Sequence, residues 1–168
     1  MHVRAEATFP ADPSRVAAMF ADEDFVRSKI ETTGATSHTA TVVGDSSGAF
    51  TVTSRRLMPT DTIPAQFRSL VGATVEIREV EAWEAADAAG ERHGTVLVEV
   101  TGAPVRMTGT VHLAAGAAGA AGAAGAAGAT LVVEGELKAS VPLFGSAIEQ
   151  ATASAALAVA AAEEKAGR

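Results

Sequence analysis

The sequence predicts one α+β domain: about seven antiparallel strands, two short helices after the first of them, and a long C-terminal helix. Three observations predict it. Strand-length segments over most of the chain alternate apolar and polar residues, the period of a half-exposed strand. Between the first two of these segments the spacing becomes helical, behind an Asp-Pro pair that suits a helix start. The last segment, 142–165, is Ala-rich and amphipathic at helical period. A chain of 168 residues suits a single domain, 1–168, and has enough length to bury a core.

Each element follows from local chemistry. In "HVRAEATF" (2–9), Val3, Ala5, Ala7 and Phe9 share one face, and His2, Arg4, Glu6 and Thr8 share the other. In "ADPSRVAAMFAD" (11–22), Asp12 is an N-cap, Pro13 fits the first helical position, and Val16, Met19 and Phe20 recur at helical spacing. A second short helix, "EDFVRSKIETTG" (23–34), is expected to end at Gly34. "TSHTATVVG" (36–44) and "GAFTVTSRRL" (48–57) form a hairpin with a longer loop. "MPTDTIPAQFRSLVG" (58–72) holds two prolines, which exclude a central strand, and closes with one or two helical turns. Strands are predicted at "TVEIREVEAW" (74–83), "GTVLVEV" (94–100), "VRMTGTVHL" (105–113) and "TLVVEGELKASV" (130–141).

The final helix opens with a capping box, Ser146 and Glu149. Phe144, Ala147, Ile148, Ala151, Ala155, Ala158, Val159 and Ala162 form its apolar stripe. Most of these side chains are small, so the helix either packs closely or leaves space beside it.

The stretch "GAAGAAGAAGAAG" (116–128) separates two alternating segments. Residues 113–133 carry no charge and would have the length of a membrane span, roughly 20 residues. Gly and Ala partition poorly into lipid, and Gly weakens helices. Residues 114–129 are therefore expected to be a flexible hairpin loop, with no stable membrane insertion.

Composition excludes several functions. The net charge of −7 and the lack of a basic stripe argue against nucleic acid as a partner. No Cys is present, so disulfides, thiolate nucleophiles and Cys metal sites are absent. The opening "MHVRAEATFP" lacks the apolar run of a signal peptide, which makes the cytoplasm the expected location. There is no P-loop, G-x-S-x-G or G-x-G-x-x-G motif, and no cofactor is expected.

His2, His38, His93 and His112 are scattered and are read as surface imidazoles, with no metal site. Glu76, Glu79, Glu81, Glu84 and Glu99 are strand carboxylates, read as a solvated outer face with cross-strand partners. Two of them facing one cavity would instead suit acid–base chemistry. Arg106 and His112 fall outside by parity. Alternation sends one of Arg55 and Arg56 inward, where it would need a partner such as a ligand carboxylate; fraying of the strand end into solvent is the preferred reading. Trp83 shares parity with Val75, Ile77, Glu79 and Glu81, so a bulge is expected to interrupt that strand.

The opening "VRAEATFPADPSRVAAMFAD", the "IPAQF" and "EAWEA" segments, and "ASVPLFGSAIEQ" before the last helix resemble the START and polyketide-cyclase superfamily of helix-grip proteins, which includes the birch-pollen-allergen-like proteins. The resemblance covers nearly the whole chain and is closest to a bacterial branch without assigned function. It implies a curved sheet wrapped around the C-terminal helix, with a cavity between them. None of the matching segments is a catalytic signature, and the superfamily includes carriers, cyclases and co-chaperones. The expected function is a cavity protein for a small apolar or amphipathic ligand, lipid-like or polycyclic. Its candidate lining is Phe50, Phe67, Trp83, Val98, Val100, Met107, Val111, Leu137, Phe144 and Ile148. Two rivals remain: a cyclase- or aromatase-type enzyme, which the absence of Tyr disfavours, and a co-chaperone-like interaction protein.

Overall fold

The computed structural model describes residues 1–61, 63–116 and 128–140, together with Ser146 and Gln150, both helical. Phe144, Glu149, Ile148 and the remainder of the expected C-terminal helix lie outside the described residues. So do residues 117–127.

Seven strands form one antiparallel sheet in the order β1-β7-β6-β5-β4-β3-β2. They are β1 (His2–Phe9), β2 (Ser37–Gly44), β3 (Phe50–Pro59), β4 (Thr74–Trp83), β5 (Arg92–Thr101), β6 (Val105–Ala115) and β7 (Ala129–Ala139). Helices α1 (Pro13–Phe20) and α2 (Glu23–Glu31) carry the chain from one sheet edge to the other. α3 (Ala65–Val71) lies between β3 and β4.

The caps act as their residue types require. The Asp12 carboxylate accepts from the Arg15 amide at 3.0 Å, with Pro13 in the first turn. Asp22 does the same for Asp24 at 2.9 Å. Val16, Ala17 and Phe20 of α1 and Val26, Lys29 and Ile30 of α2 are buried. Glu23 also accepts from the Val42 amide at 3.0 Å, satisfying one edge donor of β2 and tying α2 to it. The α3 excursion is closed at its base, where the Thr60 amide donates to the Ala73 carbonyl at 3.1 Å.

β5 starts two residues before the expected Gly94, at Arg92. β6 runs into Ala114 and Ala115, and β7 begins at Ala129, because a backbone ladder continues regardless of side-chain size. The ladder closes where the Gly116 amide meets the Gly128 carbonyl at 2.8 Å. Replacing residues 116–128 with an Asn-Gly turn is therefore expected to keep cooperative unfolding. A shorter loop costs less closure entropy, so stability should hold or rise by about 1–2 kcal/mol. Loss of the cooperative transition in a thermal melt would show that the repeat is structural.

One face of the sheet is covered. The rings of Phe9, Phe20, Phe50 and Trp83 meet on it, with centroids 5.6 Å apart for Phe9–Phe20, 5.9 Å for Phe20–Trp83 and 6.2 Å for Phe50–Trp83. Strand register brings two strand-interior glycines, Gly109 and Gly135, directly opposite each other on this face. A Cβ on Gly109 would run into the Glu134 carbonyl and lie 2.7 Å from the Gly135 Cα. The two backbones approach this closely only without side chains. Among the described residues, no helix is long and apolar enough to cross a membrane.

Candidate functional site

Register assembles the covered face row by row. One row runs Ala40, Ser54, Glu79, Val98, Met107, Leu137 from β2 to β7. The row on one side runs His38, Arg56, Ile77, Val100, Val105, Ala139; that on the other runs Val42, Val52, Glu81, Val96, Gly109, Gly135. The face is thus divided. β5, β6 and β7 contribute an apolar half, in which Met107, Val111 and Leu137 are buried and Val98 and Val100 are partly buried. β3 and β4 contribute the polar groups, Ser54, Arg56, Glu79 and Glu81, with Val52 and Ile77 between them. The two parts meet at the pairs Glu79–Val98 and Glu81–Val96.

The polar groups form an ionic cluster away from solvent. Arg56 Nη1 donates to Glu79 Oε2 at 2.9 Å, with side-chain exposures of 7% and 12%. Lys29 reaches the same region from α2 and is 7% exposed; Ser54, beside Glu79 across the strand pair, is 5% exposed. Burial alone would raise the Glu79 carboxyl, but the charges of Lys29 and Arg56, with hydrogen bonds from Arg56 and Glu81, hold it down at about 2. The side chains of Glu79 and Glu81 are thus within hydrogen-bonding reach of each other. Glu81 also accepts from Trp83 Nε1 at 2.9 Å, which links the indole to the cluster.

Several expectations are corrected by this geometry. β4 pairs with β3 without interruption from Thr74 to Trp83, so no bulge turns Glu79 and Glu81 away; they share the Trp83 face. They do not belong to a solvated outer face. Glu76 and Glu99 do: Arg55 meets Glu76 at 2.9 Å, and Arg78 meets Glu99 at 3.3 Å, all on the outer side. Arg56 is the inward arginine. Its partner is Glu79 and not solvent, because a guanidinium at this depth is held only by a compensating carboxylate. Trp83 and Phe50 are placed within the aromatic stack at one end of the face, against α1. Phe67 is buried on α3, at 6% exposure, in a different part of the chain from the strand rows.

Arg92 was absent from the expected site. It is 5% exposed, lies 5.7 Å from the Phe50 ring centroid, and donates to the carbonyls of Gly48 at 2.9 Å, Glu84 at 3.1 Å, and Ser46. It therefore fastens the β2–β3 and β4–β5 loops together. Its parity with Gly94 and Val96 was the available signal. Lys29 gave less signal, since only packing of α2 against the sheet brings it to Glu79.

Residues 4–168 match a family described as "Protein of unknown function (DUF2505)". The chain belongs to that family. No curated protein matches it. Among solved structures, the DUF2505 chain is similar to TTHA0849 from Thermus thermophilus, at 18% identity and TM-score 0.56, covering 99% of this chain and 93% of that one. It is similar to a conserved protein from Geobacillus kaustophilus at 11% identity and TM-score 0.55, covering 98% and 93% of the two chains. Ara h 8.0201 matches at 17% identity and TM-score 0.52, covering 98% and 95%. Identities this low concern the fold, and the fold agrees with the resemblance to the birch-pollen-allergen-like proteins. Opposite the covered face, the chain also brings together two histidines expected to stand apart: the rings of His93 and His112 stack with centroids 4.2 Å apart.

Proposed function

We propose that this DUF2505 protein is a cytoplasmic binding protein for a small amphipathic molecule seated on the covered face of the sheet. One observation carries the reading: a buried ionic cluster adjoins an apolar half on the same face. The apolar body of the ligand would lie along Val98, Val100, Met107, Val111 and Leu137. Its polar group would exchange hydrogen bonds with Glu81, Ser54 or Arg56. Buried charges are a poor means of stabilising a fold, since apolar residues of equal volume often do as well. Their presence among Val and Met side chains is what a site needs to orient a polar head. A C-terminal helix starting near Ser146, with Phe144 and Ile148 against the sheet, would close the site.

A melting assay with fatty acids, sterols and polycyclic aromatics tests this. A ligand at about 100 times its Kd adds about 2.7 kcal/mol to the native state. For a chain of this size, that is a rise in Tm of roughly 5–10 °C. Carboxylated or hydroxylated members should act where matched hydrocarbons do not. Trp83 fluorescence should shift with them, because its indole donates to Glu81. Absence of stabilisation by any class would sink the reading.

The inward Glu79–Glu81 pair favours a second reading, an acid–base enzyme acting on a hydrophobic substrate. Two carboxyls in unlike environments are the groups such an enzyme uses. Mass analysis of stabilising ligands after incubation separates the two: recovery unchanged supports binding, and conversion supports catalysis.

A further inference from the structure

On the outer face, where the β4–β5 loop enters β5, three donor side chains converge. His93 of β5 and His112 of β6 are direct cross-strand partners. Their rings stack near parallel, at 10°, with centroids 4.2 Å apart. Glu91, two residues before His93, approaches His112 Nε2 through Oε2 at 3.0 Å. One ligand atom from each of Glu91, His93 and His112 lies within 4.8 Å of the others.

We propose that Glu91, His93 and His112 form a binding site for a divalent transition-metal ion of the zinc type. Two imidazoles and one carboxylate make a donor set of intermediate softness, which suits zinc, nickel or copper and not magnesium or calcium. Bonds of about 2.0–2.1 Å to a tetrahedral ion place donors roughly 3.3 Å apart. To converge on one ion the two stacked rings would turn toward each other, a movement open to them because the groups are partly exposed. Side-chain exposures of His112 and Glu91 are 39% and 37%. Between Glu91 and His112, the metal would take the place of the hydrogen bond's proton. Three protein donors leave the fourth position open to water.

The backbone around the donors is fixed before any ion arrives. The Asp87 carboxylate accepts from the amides of Ala89 at 2.9 Å and Glu91 at 3.0 Å. The Asp87 amide in turn donates to the Glu91 carbonyl at 2.9 Å. On the other side, the Glu84 amide donates to the His93 carbonyl at 2.9 Å. Between Glu91 and His93, Arg92 is anchored into the covered face by three carbonyl contacts. Little backbone freedom is lost on binding, which favours affinity. The cluster is separate from the proposed ligand face and does not depend on that reading.

Calorimetric titration of tag-free, chelator-treated protein with zinc chloride tests the proposal. One equivalent should bind, zinc should raise Tm, and millimolar magnesium should not compete. H93A and H112A should each weaken binding at least tenfold, and E91Q should weaken it less. H2A should bind as wild type; it serves as control because His2 contacts Glu134 and Glu136 on the same outer side. Imidazole proton resonances of His93 and His112 that shift with zinc would support the site even if an alanine variant folds poorly. Absence of saturable binding, or equal binding by the H93A/H112A double variant, would overturn it.

Discussion

Glu79→Gln is expected to lower the melting temperature by about 10 °C or more at pH 7. The substitution keeps the shape of the side chain and removes the charge that Lys29 and Arg56 share. Removing one partner of a buried ion pair typically costs about 3–5 kcal/mol, because the other charge stays behind. Here two cations remain, each 6–7% exposed. At this chain length, each kcal/mol corresponds to about 2–4 °C. The pH dependence carries a second signature. Glu79 is held at about 2, below the 4.5 of a free glutamate, despite its burial. Its contribution is therefore fully present above about pH 4.5 and is lost as pH falls toward 2. Calorimetric melts between pH 7 and 2 should show wild type losing stability through that window and E79Q losing less. Equal melting temperatures at neutral pH, with parallel acid profiles, would contradict the ionic cluster.

Gly109→Ala is expected to destabilise the protein by at least about 3 kcal/mol, at the upper end of the range for overpacking. Alanine is normally mild in a strand. At this position its methyl would meet backbone on the neighbouring strand: the Glu134 carbonyl, and the Gly135 Cα at 2.7 Å. Backbone cannot rotate aside as a side chain can, so the β6–β7 ladder must open. Urea unfolding should show a lower midpoint with an unchanged slope. Gly48→Ala is the control, since nothing lies within 4 Å of its added methyl. If both variants match wild type, the close approach of β6 and β7 is wrong.

Much of the fold was legible because its determinants are local. Asp12-Pro13 fixes the start of α1 through amides three residues away. The alternation of β1 and β7 survives in their burial patterns, since one face of each is covered and the other wet. Gly109 and Gly135 stand in the sequence as strand-interior glycines, a mark of close backbone approach. The site was less legible. In "TVEIREVEAW", parity already grouped Glu79 and Glu81 with Trp83. The rule that carboxylates face water argued for a bulge to separate them, and that rule fails when cations arrive from elsewhere. Arg56 comes from β3, 23 residues upstream, and Lys29 from a helix at the sheet edge.

The sequence by itself determined the α+β class, the strands and the order of the described elements. Each of these depends on the residue types within a few positions, whose spacing sets period and capping. The tertiary structure alone decided which carboxylates are buried, which arginine turns inward, and that His93 meets His112. Parity orders residues within one strand, but facing is set by register with partners far away in sequence. A buried charge is stable only where those partners supply its opposite.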